Sequence, residues 1–187
     1  FENAVVDCLT VIDYLQDFTD EIYIMGYSFG GFIASIAAAL DDRINKLSLT
    51  VTGGNFYHIT WKSFVTKVLR VRYEKEGGCD IKTCEKYHGN IYEEYLKNLK
   101  TPHIPIDSSP ICCMEYDPVT YAKFIHQPTI MFRALFDFFV PSKSTMDLFQ
   151  KIKNSKLKKI PTGHLSSILL KRYILKRTVS FFREDFA

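Results

Sequence analysis

Hydrophobic and polar positions along the first 54 residues repeat with two different periods. Residues 2–17 place apolar side chains three or four positions apart, and this spacing predicts an amphipathic helix. Its apolar positions are Val5, Cys8, Ile12 and Leu15. The β-branched and aromatic residues of 21–26 predict a buried strand, the alanine-rich segment 30–42 predicts a helix, and 44–54 predicts a second strand that a glycine pair ends.

The same alternation of patterns returns after Pro128. The predicted elements are a strand at 129–137, a helix at 142–154, a short strand at 156–161 and a last helix at 165–184. Ser142 or Ser144 is expected to cap the first of these two helices. The predicted buried face of the last helix consists of Ile168, Leu175, Val179 and Phe182.

Residues 55–126 are the least regular part of the chain. They contain helix-like stretches at 61–76, 90–99 and 118–127, with prolines between them. We therefore expect an insertion over one end of a sheet, without a core of its own. Helices and strands alternate on both sides of this insertion. That order predicts an α/β fold, with a mostly parallel sheet and helices on both of its faces.

Composition and charge narrow the class of protein. The 187 residues are enough for one hydrophobic core, and a net charge of +3 from 24 basic and 21 acidic residues does not favour nucleic acid as a partner. No apolar run approaches the ~20 residues that span a bilayer, and the first residues lack the pattern of a signal peptide. We predict a cytoplasmic protein without a membrane span.

The five cysteines form no regular framework, and in a chain with a sizeable core they are expected to be reduced thiols. Cys79, Cys84 and His88 lie near one another in the sequence. Their spacing matches no common zinc pattern, and a fourth ligand is missing. We therefore expect incidental thiols, and neither a metal nor an organic cofactor.

The segment GYSFG places Ser28 between Gly26 and Gly30, directly after a predicted strand and directly before a predicted helix. A serine at such a sharp turn is held in a strained conformation, and glycines two positions before and after it are expected to relieve clashes. The turn exposes the hydroxyl and directs the backbone N–H of Phe29 towards it as an oxyanion donor. The alternative is a serine with only a structural role in a tight turn.

A serine hydroxyl becomes an effective nucleophile when a base accepts its proton. The histidines at 58, 88, 103 and 126 lie in or beside the irregular insertion. Only His164 falls between the final predicted strand and the final helix, so it is expected at the same edge of the sheet as Ser28. We predict that His164 is the base.

The acid that orients this base is expected at another strand end on the same edge. Asp137 ends the predicted strand 129–137, and Pro141 stiffens the chain that follows. Asp107 and Asp117 are alternatives, but both belong to the insertion. Asp137 could instead be a capping or solvated residue.

The order nucleophile, acid and base, each after a predicted strand, resembles the α/β-hydrolase superfamily. The segments that carry this resemblance are GYSFGG, FDFFVP and TGH. It covers most of residues 1–54 and 127–187, and it implies an α/β-hydrolase core with 55–126 as a helical cap. The resemblance implies a serine hydrolase with a Ser-Asp-His triad.

The resemblance also implies a part that these residues do not supply. In that superfamily several strands and a helix precede the helix predicted at 2–17, and they provide half of the sheet and a second oxyanion N–H. Without them, the first strand of this chain has an exposed edge. We therefore expect the C-terminal portion of a larger hydrolase, in which a preceding segment or a dimer completes the sheet.

The expected substrate is a small-molecule carboxylic ester. The insertion is rich in aromatic residues, and such a cap over a catalytic serine favours an apolar acyl or alcohol group. A thioesterase or a peptidase would use the same three residues. A non-catalytic binding module on a hydrolase scaffold is the alternative from a different class of protein.

Overall fold

A parallel sheet organises the part of the chain that the structure, a computed structural model, describes: residues 1–66, 70, 80–105 and 107–184. Its strands are β1 (Ile22–Tyr27), β2 (Ile44–Thr50), β3 (Thr129–Ala134) and β4 (Ser155–Ile160), in the order β1-β2-β3-β4. All neighbouring pairs are parallel. Both the parallel sheet and its four predicted strands are therefore confirmed, although β2 and β3 end three or four residues earlier than predicted.

The register of the sheet brings the carboxyl ends of its strands to one edge. Tyr27 of β1 pairs with Thr50 of β2, which pairs with Phe132 of β3, and Ala134 pairs with Ile160 of β4. The residues that follow each strand therefore gather at this edge. Within the described residues β1 pairs on one side only, so it is an edge strand. That a preceding segment or a dimer covers this edge stays a prediction.

Helices cover both faces of the sheet. The bounds are α1 (Glu2–Leu15), α2 (Phe29–Leu40), α6 (Ser142–Lys151) and α7 (Lys171–Arg183). Strand β3 shows how the faces divide, because its side chains alternate. Met131 joins the core formed with α1, α2 and α6, whereas Ile130 and Phe132 join the core formed with α7.

The segment between β2 and β3 consists of short helical pieces. These are α3 (Ile81–Lys86), α4 (Tyr92–Asn98) and α5 (Pro118–Tyr121), π-helical turns at His58–Lys62 and Tyr87–Ile91, and 3-10 turns at Cys112–Tyr116 and Ala122–Phe124. Tyr92, Leu96 and Met114 from this segment belong to the same core cluster as Ala37 of α2. The segment therefore packs onto the sheet layer. Most of the helix predicted at 61–76 lies outside the described residues.

The predicted buried face of the last helix is wrong. Residues Leu165–Leu170 form a 3-10 turn, and α7 begins only at Lys171. The buried residues of α7 are Ile174, Thr178 and Phe181, whereas Ile168, Leu175 and Val179 are exposed and Phe182 is half-buried. A 3-10 helix has three residues per turn, fewer than an α-helix. Apolar positions that are counted with the α-helical period from residue 165 therefore no longer match the buried face when α7 begins. The apolar pattern also could not identify Thr178 as buried, because Thr178 is polar and hydrogen-bonds Ser48.

The predicted cap of α6 is also wrong. Pro141 occupies the N-cap position, and neither Ser142 nor Ser144 caps the helix through its side chain. The buried Ser144 instead donates its hydroxyl proton to the carbonyl of Gly54. The hydroxyl therefore ties α6 to the chain that follows β2.

Candidate active site

Ser28 lies at the sharp turn between β1 and α2. Its backbone has φ 53° and ψ −118°, in the positive-φ region that residues with a Cβ rarely adopt. The backbone N–H of Ser28 donates to the carbonyl of Thr50 at 2.9 Å, so the neighbouring strand holds the turn. The strained conformation presents the side chain at the carboxyl edge of the sheet.

Glycines allow the strand, the turn and α2 to approach one another closely. A Cβ at Gly26 would lie 2.6 Å from the carbonyl oxygen of Gly30, and one at Gly31 would lie 2.6 Å from the side chain of Thr52. The prediction that Gly30 relieves a clash is wrong, because a Cβ there would meet nothing within 4 Å. Gly30 lies on the exposed side of the first turn of α2, and Gly31 is the residue packed against Thr52, two residues after the end of β2.

The side chains of Ser28, His164 and Asp137 form one hydrogen-bonded chain. Nε2 of His164 lies 2.7 Å from Oγ of Ser28, and Nδ1 of His164 lies 2.8 Å from Oδ2 of Asp137. Only 6% of the His164 side chain and 5% of the Asp137 side chain are exposed. A carboxylate at Nδ1 favours the tautomer with its proton on Nδ1, which leaves Nε2 as an acceptor for the Ser28 proton.

The carboxylate of Asp137 is fixed by its own loop. Its Oδ1 accepts the backbone N–H groups of Phe139 and Val140, both at 2.8 Å, while Oδ2 accepts from His164. The ring of Phe139 also stacks on the imidazole of His164, with centroids 4.9 Å apart. The side chain of Asp137 is therefore not solvated, and both of its oxygens have partners.

The two alternative acids lie elsewhere. Asp107 is exposed, whereas Asp117 is fully buried and accepts the backbone N–H groups of Asn55, Phe56 and Val119 at 2.7 to 2.9 Å. Burial raises the pKa of Asp117 to about 6, against the effect of these three hydrogen bonds. Asp117 therefore anchors the start of the segment that follows β2.

The other four histidines have different surroundings. Nε2 of His58 lies 3.2 Å from the carboxylate of Asp147, and His103 and His126 are exposed. His88 is buried, and this burial, together with the nearby His58, lowers its pKa to about 4. The position of His164 after the last strand was the signal that separated it from these four.

The start of α2 has a backbone N–H group that is free to donate outside the helix. Phe29 is the first residue of this helix, where helix geometry provides no intrahelical acceptor for the backbone N–H. The N-terminus of a helix also favours a nearby negative charge. That the backbone N–H of Phe29 serves as an oxyanion donor stays a prediction.

An aromatic cluster adjoins the turn that carries Ser28. It consists of Phe1, Phe29, Phe32, Phe56 and Tyr116. Phe1 and Phe29 meet edge to face with centroids 4.8 Å apart, and about half of Phe29 is exposed. Phe1, Phe29 and Phe32 lie outside residues 55–126, where the sequence predicted the aromatic surface, so that prediction missed them. The position of Phe29, directly after Ser28, was the signal that could have identified it.

Four of the aromatic residues described in the insertion have a packing role. Tyr57, Trp61, Tyr92 and Tyr121 are buried, while Phe64 is exposed and Tyr73 lies outside the described residues. These buried rings pack within the segment and against the sheet layer.

In the part of the chain that the structure describes, no group of three or more His, Cys, Asp or Glu side chains is arranged to hold a metal ion. Cys79, one of the residues considered above for zinc, lies outside this part, and Nε2 of His88 lies 3.2 Å from the sulfur of Cys113. None of the helices described is both long and apolar enough to cross a membrane.

No protein-family model and no curated protein matches this chain. Solved structures do match it. The enol-lactonase from Burkholderia xenovorans LB400 is 19% identical with a TM-score of 0.58, and the alignment covers 98% of this chain and 73% of that protein. The α/β-hydrolase GrgF from Penicillium sp. sh18 is 17% identical with a TM-score of 0.58, and covers 96% of this chain and 70% of that one.

An acylaminoacyl peptidase from Pyrococcus horikoshii has a TM-score of 0.64 at 16% identity, over 95% of this chain and 26% of the peptidase. At these identities the comparisons concern the fold. They agree with the parallel sheet and the helices on both of its faces. The chain therefore has the α/β-hydrolase fold.

Proposed function

We propose that this chain carries the catalytic residues of a serine hydrolase that cleaves carboxylic esters. The observation that supports this most is the hydrogen-bonded chain from Ser28 through His164 to Asp137, with 2.7 Å and 2.8 Å between the joined atoms. A serine, a base and an acid in this geometry can perform acyl transfer, whichever acyl group is bound.

In the first half of the proposed reaction, Oγ of Ser28 attacks the ester carbonyl while Nε2 of His164 accepts its proton. The carboxylate of Asp137 stabilises the imidazolium that forms. Negative charge develops on the former carbonyl oxygen, and the backbone N–H of Phe29 donates to it. The tetrahedral intermediate then loses the alcohol, which takes the proton from His164, and an acyl-enzyme remains.

In the second half, a water molecule attacks the acyl-enzyme and passes a proton to Nε2 of His164. Collapse of the second tetrahedral intermediate breaks the bond to Ser28, and the proton returns from His164 to Oγ. The products are one alcohol and one carboxylic acid, so the cycle consumes one water and restores the enzyme. No metal or organic cofactor takes part in these steps.

The aromatic cluster favours an apolar acyl group. About half of Phe29 is exposed beside the nucleophile, and exposed aromatic surface at a site is stabilised when an apolar group covers it. We infer that residues 55–126 act as a cap, which contributes Phe56 and Tyr116 to this surface. A lactone is a cyclic ester, so the likeness to an enol-lactonase is compatible with ester chemistry.

A substrate panel tests the proposal. The purified protein is assayed with p-nitrophenyl esters, acyl thioesters and aminoacyl amides, alongside the variant Ser28→Ala. We expect the highest kcat/KM on an ester, and loss of that turnover in Ser28→Ala. Preference for thioesters or amides would assign a thioesterase or a peptidase. A folded protein without turnover on any of them would support the non-catalytic binding module.

A further inference from the structure

Three oxygen atoms from different parts of the chain meet at the backbone of His164. Tyr27, the last residue of β1, donates its hydroxyl proton to the backbone carbonyl of His164 at 3.1 Å. The hydroxyl of Ser167 donates to the same carbonyl and also contacts the hydroxyl of Tyr27. Ser167 is fully buried in the 3-10 turn that follows His164.

These three oxygens share two protons. The carbonyl can only accept, so at least one hydroxyl donates to it, and the other donates either to the carbonyl or to the first hydroxyl. Removal of one hydroxyl leaves one donor for the carbonyl, whereas removal of both leaves none. Effects of the two substitutions are therefore expected to be strongly non-additive.

Tyr27 can hold the backbone of His164 in a fixed position relative to the sheet. Its side chain packs against the core between the sheet and α7, so its hydroxyl is carried by a rigid element. Its neighbour in the chain is Ser28. The hydrogen bond from Tyr27 thus joins the backbone of His164 to the strand that ends at the nucleophile.

We propose that Tyr27 and Ser167 are positioning residues that act through the backbone carbonyl of His164 and hold its imidazole in place during deacylation. This role rests on the proposed function. In the resting site, Oγ of Ser28 itself holds Nε2 of His164 at 2.7 Å. Once Ser28 is acylated, that hydroxyl no longer carries a proton for His164, and the contacts of Tyr27 and Ser167 remain.

The inference predicts an unequal effect on the two halves of the reaction. The burst of p-nitrophenol measures acylation, and steady-state turnover under deacylation-limited conditions measures deacylation. For Tyr27→Phe or Ser167→Ala alone we expect deacylation to slow by less than about threefold, because the remaining hydroxyl still donates to the carbonyl, whereas in the double variant it should slow on the order of 100-fold. Acylation should change by less than about threefold.

Tyr23→Phe is the matched control, because Tyr23 lies on the same strand and donates its hydroxyl to Glu21 at the other end. It should leave both rates unchanged. An equal fall in acylation and deacylation, or unchanged deacylation in the double variant, would overturn the inference. Circular dichroism and thermal unfolding check that each variant is folded.

A second measurement does not require turnover and separates this inference from the proposed function. In isotope-labelled protein, NMR follows solvent exchange of the Nδ1 proton of His164, which is shared with Asp137. We expect exchange at least about tenfold faster in the double variant than in wild type or Tyr23→Phe. Equal exchange in all three overturns the positioning role, whereas a wild type without a burst but with this difference contradicts only the hydrolase proposal.

Discussion

Nε2 of His164 lies 2.7 Å from Oγ of Ser28, although 136 residues separate them along the chain. The strands that precede them, β4 and β1, are at opposite edges of the described sheet. Three spacings between neighbouring strands separate them, which amounts to about 14 Å. The loop after β4 therefore returns across the carboxyl edge. A hydrogen bond from the backbone N–H of Phe136 to the carbonyl of Thr162 guides it over the end of β3.

Asp137→Asn tests how the imidazole is oriented. The amide oxygen can still accept from Phe139 and Val140, but the amide nitrogen then faces Nδ1 of His164 and favours the tautomer with its proton on Nε2. That tautomer cannot accept the proton of Ser28. We expect kcat to fall on the order of 10⁴-fold with little change in KM.

Asp107→Asn is the control for this experiment, since Asp107 is exposed and belongs to the segment between β2 and β3. It should retain wild-type kinetics. A mild loss in Asp137→Asn, within about tenfold, would mean that Asp137 does not orient the base.

Gly26→Ala and Gly30→Ala test the two glycines of the motif against each other. A methyl group at Gly26 would lie 2.6 Å from the backbone of Gly30 and Gly31, whereas one at Gly30 would meet nothing within 4 Å. We expect Gly26→Ala to lower the free energy of unfolding by at least about 2 kcal/mol. Gly30→Ala should stay within about 1 kcal/mol of wild type, because alanine suits a helix. Chemical denaturation measures both, and equal effects would contradict the packing described here.

Phe29→Ala tests the apolar acyl site. Loss of the half-exposed ring removes apolar surface beside the nucleophile but leaves the backbone N–H of Phe29 in place. We expect kcat/KM to fall roughly tenfold for long-chain p-nitrophenyl esters and by less than about twofold for the acetate. Phe18→Ala is a control, since Phe18 is exposed and its ring neighbour is Tyr14. If all chain lengths lose activity equally, Phe29 does not contact the acyl chain.

His88 predicts a pH dependence of stability. Burial and the nearby His58 lower its pKa to about 4 in the folded state, below the ordinary value of 6.5. A lowered histidine pKa means that the fold favours the neutral ring, so this contribution is present above pH 6.5 and is lost as the pH falls towards 4. The loss is on the order of 3 kcal/mol.

Urea denaturation between pH 7 and pH 4 measures this effect. His88→Gln should show a weaker decline over this range than wild type. His126→Gln should decline as wild type does, because His126 is exposed. The same slope in all three proteins would assign the acid sensitivity to other groups.

The sequence predicted the sheet and the gathering of Ser28, Asp137 and His164 at one edge because each follows a strand, and parallel strands bring their carboxyl ends together. The catalytic roles of these residues stay proposals. The pairing of Tyr27 with Ser167 was not predictable, since 140 residues separate them and nothing in either segment identifies the other.

Two local predictions were wrong for physical reasons that the hydrophobic pattern does not contain. The face of α7 was wrong because a 3-10 turn precedes Lys171 and because the buried Thr178 is polar. The role predicted for Gly30 was wrong because Gly31, and not Gly30, packs closely against Thr52 in the segment that follows β2. Both errors depend on where a neighbouring element lies, which a single segment does not encode.

The central claim is that His164 activates Ser28 as a nucleophile, and covalent labelling tests it most directly. The protein is treated with a fluorophosphonate probe, and the modified residue is identified by mass spectrometry of its peptides. We predict one adduct, on Ser28, that is absent in Ser28→Ala and slowed on the order of 10³-fold or more in His164→Ala. No adduct in the folded wild-type protein, or labelling that survives in Ser28→Ala, would contradict the account.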